Sequence, residues 1–378
     1  MITSKGYSKA SASILILLFA AGLLVGGILI YYATYQQVNN LKGQVSNLQS
    51  QVSALRGFQN ATYQSITIMQ NGTSMAEIYA NVRESVVLIH GVTSDGGVQG
   101  SGFVYNFESS PVVLTNYHVV QGTSSLSVTF SDGNGYSATV LGTDSYSDLA
   151  VLSVNAPASK FKPVVIVSSS TLVVGEPVIA IGNPYGLVGS LTTGIVSATG
   201  RTITEDTAGG FAIANIIQTS TPINPGNSGG PLLNAVGNVV GITTAIVSDS
   251  QGLGFAIPSN TILREISALI TTGSYGGHSY LGVSGQDMSY SLAQEIGASV
   301  TYGWRIASIV NGGPSDGKLN VGDIIIAMNQ HTIRNNDDLA SFLEEQTLPG
   351  DNIVLTVVRR NLQIEVTVVL GTRPASTT

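Results

Sequence analysis

The sequence predicts a mainly β protein, with a barrel or sandwich at its centre, held behind an amino-terminal membrane anchor. Three observations lead there. The 44 glycines punctuate short Val- and Ile-rich runs without a collagen-like period, the pattern of strands joined by tight turns. No long amphipathic helix interrupts residues 74–258, which argues against a doubly wound α/β sheet. Ile14 to Ala33 form an uncharged run of twenty residues, long enough as a helix to cross about 30 Å of hydrocarbon.

The anchor comes first in the chain. Lys5 and Lys9 precede the apolar run and the next basic residue is Lys42, so the positive-inside rule leaves residues 1–13 in the cytoplasm and everything after Tyr35 outside. Tyr31, Tyr32 and Tyr35 sit where an interfacial aromatic belt would lie. A cleaved signal peptide is the alternative; the run exceeds a usual signal core and no A-x-A site follows it. Gly22 and Gly26 make a G-x-x-x-G pair, a weak signal in a Gly-rich span.

The next segment, 36–56, carries Val38, Leu41, Val45, Leu48, Val52 and Leu55 at alternating spacings of three and four. That is a short coiled-coil stalk with Val at a and Leu at d, a choice that favours two parallel strands. A lone amphipathic stalk helix is the alternative. The linker 57–73 holds two N-glycosylation patterns, Asn60-Ala-Thr62 and Asn71-Gly-Thr73, which suit an outside location.

Composition excludes several kinds of chemistry. The 378 residues suffice for two domains plus extensions at roughly 100–200 residues per domain. Charged residues are only 10% of the chain, against about 25% in ordinary globular proteins, so Ser, Thr, Asn and Gln carry much of the surface. The net charge of −7 and the lack of a Lys/Arg cluster argue against nucleic acid as the main partner. There is no cysteine, hence no disulfide framework and no thiolate metal site. His90, His118, His278 and His331 show no metal-ligand spacing, and no G-x-x-x-x-G-K-[ST] loop is present. No cofactor, metal or nucleotide is expected.

Residues 74–258 read as one domain of short strands, at 85–90, 102–105, 112–115, 125–130, 149–154, 177–181, 213–219, 231–233, 239–245 and 254–257. Polar residues stand out at three places: His118 after Leu114-Thr-Asn-Tyr, Asp148 before Leu-Ala-Val-Leu, and Ser228 within Asn224-Pro-Gly-Asn-Ser228-Gly-Gly-Pro231. Taken singly, these are a structural histidine, a turn aspartate and a loop serine. Together they offer nucleophilic catalysis. A serine hydroxyl becomes a nucleophile when a neutral imidazole takes its proton, and a carboxylate must fix that imidazole's tautomer. The oxyanion that forms needs backbone donors, here the Gly226 and Ser228 N–H groups. Gly226-Asn-Ser228-Gly-Gly230 also matches the G-x-S-x-G elbow of α/β-hydrolases. That elbow requires a strand–Ser–helix context and the order Ser, Asp, His. The order His, Asp, Ser fits a chymotrypsin-like double β-barrel instead.

Gly100-Ser-Gly102-Phe, Thr115-Asn-Tyr-His118-Val-Val, Asp148-Leu-Ala-Val-Leu, Ala180-Ile-Gly-Asn-Pro-Tyr-Gly186, Gly194-Ile-Val-Ser-Ala, Asn224-Pro-Gly-Asn-Ser228-Gly-Gly-Pro-Leu and Gly254-Phe-Ala-Ile-Pro258 resemble, in order, the HtrA/DegP family of trypsin-like serine proteases. The resemblance implies that His118 is the general base, Asp148 its orienting acid and Ser228 the nucleophile. Asp144 is the nearest competitor to Asp148. It also implies that Ile223, Thr244, Ala245 and Ile246 line the primary specificity pocket. Being small or apolar, they point to cleavage after aliphatic residues. The segment from Phe103 to Thr115 is short, so the long regulatory loop of some relatives is absent.

Beyond a connecting helix and linker at 259–277, residues 278–372 resemble a PDZ domain of the HtrA type, through Tyr280-Leu-Gly-Val283, Gly322-Asp-Ile-Ile-Ile326 and paired strands at 352–358 and 363–370. Such a domain adds a peptide as an extra strand beside a helix, here 337–345, and loop N–H groups at Leu281, Gly282 and Val283 capture its terminal carboxylate. A closed groove that only packs is the alternative, and Asn311-Gly-Gly-Pro314 departs from the family pattern. The implied activity is an ATP-independent serine endopeptidase that degrades unfolded or damaged extracytoplasmic proteins in protein quality control. The implied assembly is a homo-oligomer, a trimer by resemblance where the heptad favours a dimer. A chaperone or peptide-binding role with minor proteolysis is the alternative function. A purely structural coiled-coil anchor is hard to reconcile with a complete triad.

Overall fold

The computed structural model describes residues 32, 34–46, 48, 49, 74–94, 96–183, 189–204, 212–224, 226–244 and 252–374. The anchor expected at 14–33 lies outside the described residues except for Tyr32. Among the described residues no helix is long and apolar enough to cross a membrane. Of the expected stalk at 36–56, residues 36–46, 48 and 49 are helical. Val38, Leu41, Val45 and Leu48 on that helix are 47%, 53%, 52% and 59% exposed, an apolar seam facing water. The rest of the stalk and the linker up to residue 73 lie outside the described residues.

Two closed barrels follow. The first contains β1 (Val86–Thr93), β2 (Gly96–Phe107), β3 (Ser110–Thr115), β4 (Ser125–Thr129), β5 (Gly135–Asp144) and β6 (Leu149–Val154), in the order β1-β2-β3-β6-β5-β4. The second contains β7 (Pro177–Gly182), β8 (Ser190–Thr204), β9 (Ala212–Thr219), β10 (Pro231–Leu233), β11 (Val239–Thr244) and β12 (Gly254–Pro258), in the order β10-β11-β12-β9-β8-β7. Closure leaves neither sheet with an unpaired edge. The strands β5 and β8 were not anticipated. In β5 most side chains from Gly135 to Leu141 face solvent at least partly, so no apolar run marks it. In β8 glycines, serines and threonines dominate, and three register shifts against β9 break any period of two.

The near-continuous apolar runs of the other strands have a physical cause. A strand sends alternate side chains to opposite faces. In β6, Ala150 and Leu152 fill the first barrel while Leu149 and Val151 join the core between the barrels. In β7, Val178 and Ala180 fill the second barrel while Ile179 and Ile181 join that same shared core. Both faces are therefore dry, and alternation disappears from the sequence.

The helix Ser259–Thr272 packs its stripe Ile262, Ile266 and Leu269 into the shared core and ends at Gly273 in the left-handed region, with φ 82°. Its close approach to β5 requires glycine at 142, because a Cβ there would stand 2.0 Å from the Leu269 carbonyl oxygen. The last domain contains β13 (Ser279–Tyr280) paired with β20 (Gly371–Thr372), and a sheet of β14 (Val283–Asp287), β15 (Trp304–Ile309), β16 (Ile324–Met328), β18 (Asn352–Arg359) and β19 (Leu362–Val369), with β17 (His331–Thr332) beside β16. The helix Asn336–Gln346 contributes Leu339 and Phe342 to a core with Leu281, Trp304, Ile325 and Leu355.

Candidate active site

β3 and β6 meet as neighbours in the first barrel, and the short helix Tyr117–Val120 begins just beyond β3. That places His118 over the entry to β6, where Asp148 stands. His118 Nδ1 lies 2.9 Å from Asp148 Oδ2 and 3.1 Å from Oδ1. The His118 backbone N–H also donates to Oδ1 at 3.0 Å, and Thr244 Oγ1 donates to Oδ2 at 3.2 Å. The Asp148 side chain is fully buried whereas the His118 ring is 23% exposed. An ionised carboxylate only accepts, so Nδ1 carries the proton and Nε2 is left as a base. Asp148 has φ 51°, a left-handed conformation that costs a non-glycine residue about 1–2 kcal/mol. Its carbonyl is held by the Tyr117 N–H at 3.1 Å and by Asn116 Nδ2 at 3.1 Å.

Ser228 sits in the turn that leads into β10, and backbone bonds hold this turn on all sides. The Ser101 N–H donates to the Ser228 carbonyl at 2.8 Å, the Gly229 N–H to the Thr243 carbonyl at 2.9 Å, and the Thr243 N–H to the Gly230 carbonyl at 2.9 Å. Glycine at 229 is required twice over: φ is +85°, and a Cβ would stand 2.0 Å from the Ser101 carbonyl oxygen. Two buried hydroxyls act on the turn from behind. Ser101 Oγ donates to the Gly226 carbonyl at 2.6 Å and accepts the Asn183 N–H at 2.7 Å. Thr243 Oγ1 donates to the Asn227 carbonyl at 2.6 Å, where the Gly230 N–H also donates at 2.9 Å. A trans peptide is planar, so fixing the Asn227 carbonyl aims the Ser228 N–H in the opposite direction. The adjacent residues Thr243 and Thr244 thus tie the Ser228 turn and the Asp148 carboxylate to one strand.

Sequence reasoning passed over Ser101, Asn116 and Thr243 as working residues. Of the four residues expected to line the specificity pocket, Ile223 is partly buried against the second barrel's core. Thr244 is buried with its hydroxyl on Asp148. Ala245 and Ile246 lie outside the described residues. Asp144 accepts from His278 Nε2 at 2.5 Å and from the Tyr146 N–H at 2.8 Å, so it belongs to a different cluster from His118.

In the last domain, Leu281, Gly282 and Val283 line a cavity of about 210 Å³ together with Trp304, Leu339 and Leu343. Leu281 is buried and Gly282 has φ +75°. The helix Asn336–Gln346, which forms one wall, is docked on the second barrel. Asp337 accepts from Arg201 Nη1 at 3.1 Å and from the Thr202 N–H at 2.8 Å, and Ser341 Oγ donates to the Gly200 carbonyl at 3.0 Å.

Comparison with known proteins agrees with this architecture. The model of the trypsin-like peptidase domain matches residues 100–242, and the PDZ domain model matches residues 279–370. Protease Do-like 1, chloroplastic, of Arabidopsis thaliana is 37% identical over 291 residues, covering 73% of this chain and 64% of that protein. A probable periplasmic serine endoprotease DegP-like of Brucella suis is 38% identical over 280 residues, covering 73% of this chain and 53% of that protein. The chain thus spans between about half and two thirds of the length of these curated relatives. Among solved structures, the HtrA-type protease AlgW with decapeptide superimposes with a TM-score of 0.64 at 30% identity, covering 80% of this chain and 100% of that one. The serine endoprotease from Yersinia pestis gives a TM-score of 0.59 at 29% identity, covering 80% and 99%.

Proposed function

This chain belongs to the HtrA/DegP family of trypsin-like serine proteases with a PDZ domain, and on that footing we propose that it is an endopeptidase in which His118, Asp148 and Ser228 form the triad. The observation that carries the reading is the His118–Asp148 pair. A fully buried carboxylate fixes the imidazole tautomer that leaves Nε2 basic, in the same fold as the clamped Ser228 turn. His118 Nε2 takes the Ser228 Oγ proton as Oγ adds to the scissile carbonyl. The Gly226 and Ser228 N–H groups receive the oxyanion. His118 then gives the proton to the departing amine. A water molecule repeats the sequence on the acyl-enzyme, releasing the acid and restoring Ser228. Casein cleavage by purified protein is the test: Ser228→Ala abolishes it, and cleavage that persists in this variant defeats the mechanism.

The substrates we propose are unfolded or damaged proteins outside the cytoplasm, cut after aliphatic residues. The apolar Ile223 supports this, as does the name of the Brucella relative, a periplasmic endoprotease. The cavity at Leu281, Gly282 and Val283 supports capture of a peptide terminus by the PDZ domain. The uncharged run 14–33 supports a single membrane span with the catalytic domains outside. The water-facing Val/Leu seam of the stalk supports self-association. We propose a homo-oligomer, with a trimer as the family expectation.

A further inference from the structure

The molecule holds a second histidine–aspartate pair, at the seam between the first barrel and the PDZ domain. His278 is 4% exposed. Its Nε2 lies 2.5 Å from Asp144 Oδ2, and its Nδ1 lies 3.1 Å from Glu344 Oε2 on the PDZ helix Asn336–Gln346. The rings of Tyr146 and Tyr275 stand edge-on to the imidazole at 5.3 Å and 5.1 Å. From the helix Ser259–Thr272, Glu265 Oε1 accepts from Ser147 Oγ at 2.8 Å and from Arg264 at 2.6 Å. Arg264 also pairs with Glu344, and Arg373 covers the Tyr146 ring at 4.0 Å.

Burial above all holds the Glu265 carboxyl well above its usual range. Burial alone would also pull His278 down, but its bonds to Asp144 and Glu344 outweigh that and hold it at about 10. One imidazolium and the Arg264 guanidinium then face the Asp144 and Glu344 carboxylates. Asp144, Glu265 and His278 converge closely enough to suit a metal ion, but that positive charge is already supplied by the protein.

The position of the pair matters more than its charge. Asp144 ends β5 and Asp148 immediately precedes β6, so the two aspartates bracket one tight turn. Ser147, bonded to Glu265, is the residue next to Asp148. The left-handed conformation of Asp148 persists only where the surroundings over-determine it. Asn116 and Tyr117 hold its carbonyl side. The turn side is held through Asp144 and Ser147 by groups beyond the protease barrels.

We propose that His278, a residue of the PDZ domain, is a positioning residue for the triad: by seating Asp144 it fixes the turn that delivers the Asp148 carboxylate to His118. This inference rests on the triad reading above.

The experiment uses the full chain, with His278→Ala, His278→Gln and Asp148→Asn singly, and with each His278 variant combined with Asp148→Asn. Peptide cleavage gives kcat and KM, and binding of the same peptide is measured in a Ser228→Ala background. In the single His278 variants, kcat falls roughly ten- to hundredfold, as for a small misplacement of a reacting group. KM and peptide affinity stay within about twofold, because only orientation is lost. In the Asp148→Asn background the His278 substitutions have no further effect on kcat, since their route to His118 is already cut. Full kcat in a folded His278→Gln protein, with only a lowered Tm, overturns the proposal, and so does a multiplicative effect in Asp148→Asn. Should His278→Ala not fold, His278→Gln decides alone. Activity surviving in Ser228→Ala alone defeats the triad reading itself, a different signature from either.

Discussion

Replacing Ser101 with alanine tests whether the oxyanion donors are set from behind. Its hydroxyl, fully buried, makes two short bonds, donating to the Gly226 carbonyl at 2.6 Å and accepting the Asn183 N–H at 2.7 Å. The substitution would leave both backbone groups without that partner, at about 1–3 kcal/mol each if nothing moved. A protein that bears this cost in a rigid turn loses Tm, by about 2–4 °C per kcal/mol for a domain of 150–250 residues. The turn has a cheaper course. Gly226 has φ +97° and no side chain to obstruct rotation, so its peptide can swing toward cleft water and recover a partner. That swing turns the Asn227 N–H of the same peptide off the Asn224 carbonyl, to which it donates at 2.9 Å, and frees the turn that aims the Gly226 and Ser228 N–H groups; loss of one such donor costs about 10²–10³ in kcat. Relaxation moves the cost from stability to catalysis. We therefore expect Ser101→Ala to lose about a hundredfold in kcat, to keep KM within about twofold and to melt within a few degrees of wild type. Peptide hydrolysis gives both constants. A peptide boronate, which mimics the tetrahedral state, should bind correspondingly more weakly, while substrate affinity in the Ser228→Ala background stays the same. Unchanged kcat with unchanged boronate affinity would falsify the idea that this hydroxyl governs the hole.

Gly229→Ala should abolish labelling by a fluorophosphonate probe, because its Cβ would meet the Ser101 carbonyl at 2.0 Å and φ is +85°; normal labelling of a soluble variant counts against the geometry. His278 supplies a pH-dependent contribution to stability. Its folded pKa of about 10 stands above the ordinary 6.5, so the stabilisation is complete below pH 6.5 and disappears as pH rises through about 10. The Tm gap between wild type and His278→Gln should narrow between pH 7 and pH 10, and a constant gap contradicts the ion-pair account. Sedimentation of a soluble fragment lacking the anchor, with and without residues 38–56, distinguishes a stalk-driven dimer from a trimer built by the catalytic domains; identical masses leave the Val/Leu seam without a role in assembly.

The sequence made legible those features where residue chemistry contradicts its surroundings. His118 edges an apolar run, Ser228 stands in a glycine-rich one and Asp148 directly precedes the apolar Leu-Ala-Val-Leu strand, so their joint presence was readable from residue types and order. The barrels were readable from their dry strands, because a strand serving two cores is apolar on both faces. Ser101 and Thr243 were invisible for the opposite reason. A hydroxyl residue is ordinary in a strand, and nothing local shows that these two face a carbonyl of the nucleophile turn rather than solvent. β5 and β8 escaped because solvent and neighbouring strands, not a core, satisfy most of their side chains.

The two aspartates mark the boundary between what local sequence encodes and what it does not. Asp144 and Asp148 lie four residues apart in one turn, have the same chemistry, and are both buried. Composition and spacing favour neither as the partner of His118. The choice is made by long-range contacts: the end of β3 brings His118 to one side of the turn, while the PDZ domain brings His278 to the other. A buried carboxylate needs a cationic or hydrogen-bonding partner, so each aspartate takes the histidine its own side supplies. On the proposal made for His278, the two pairings together keep Asp148 at its φ of 51°. The turn therefore belongs energetically to both domains, and a substitution at either histidine has to be read for its effect on the other pair.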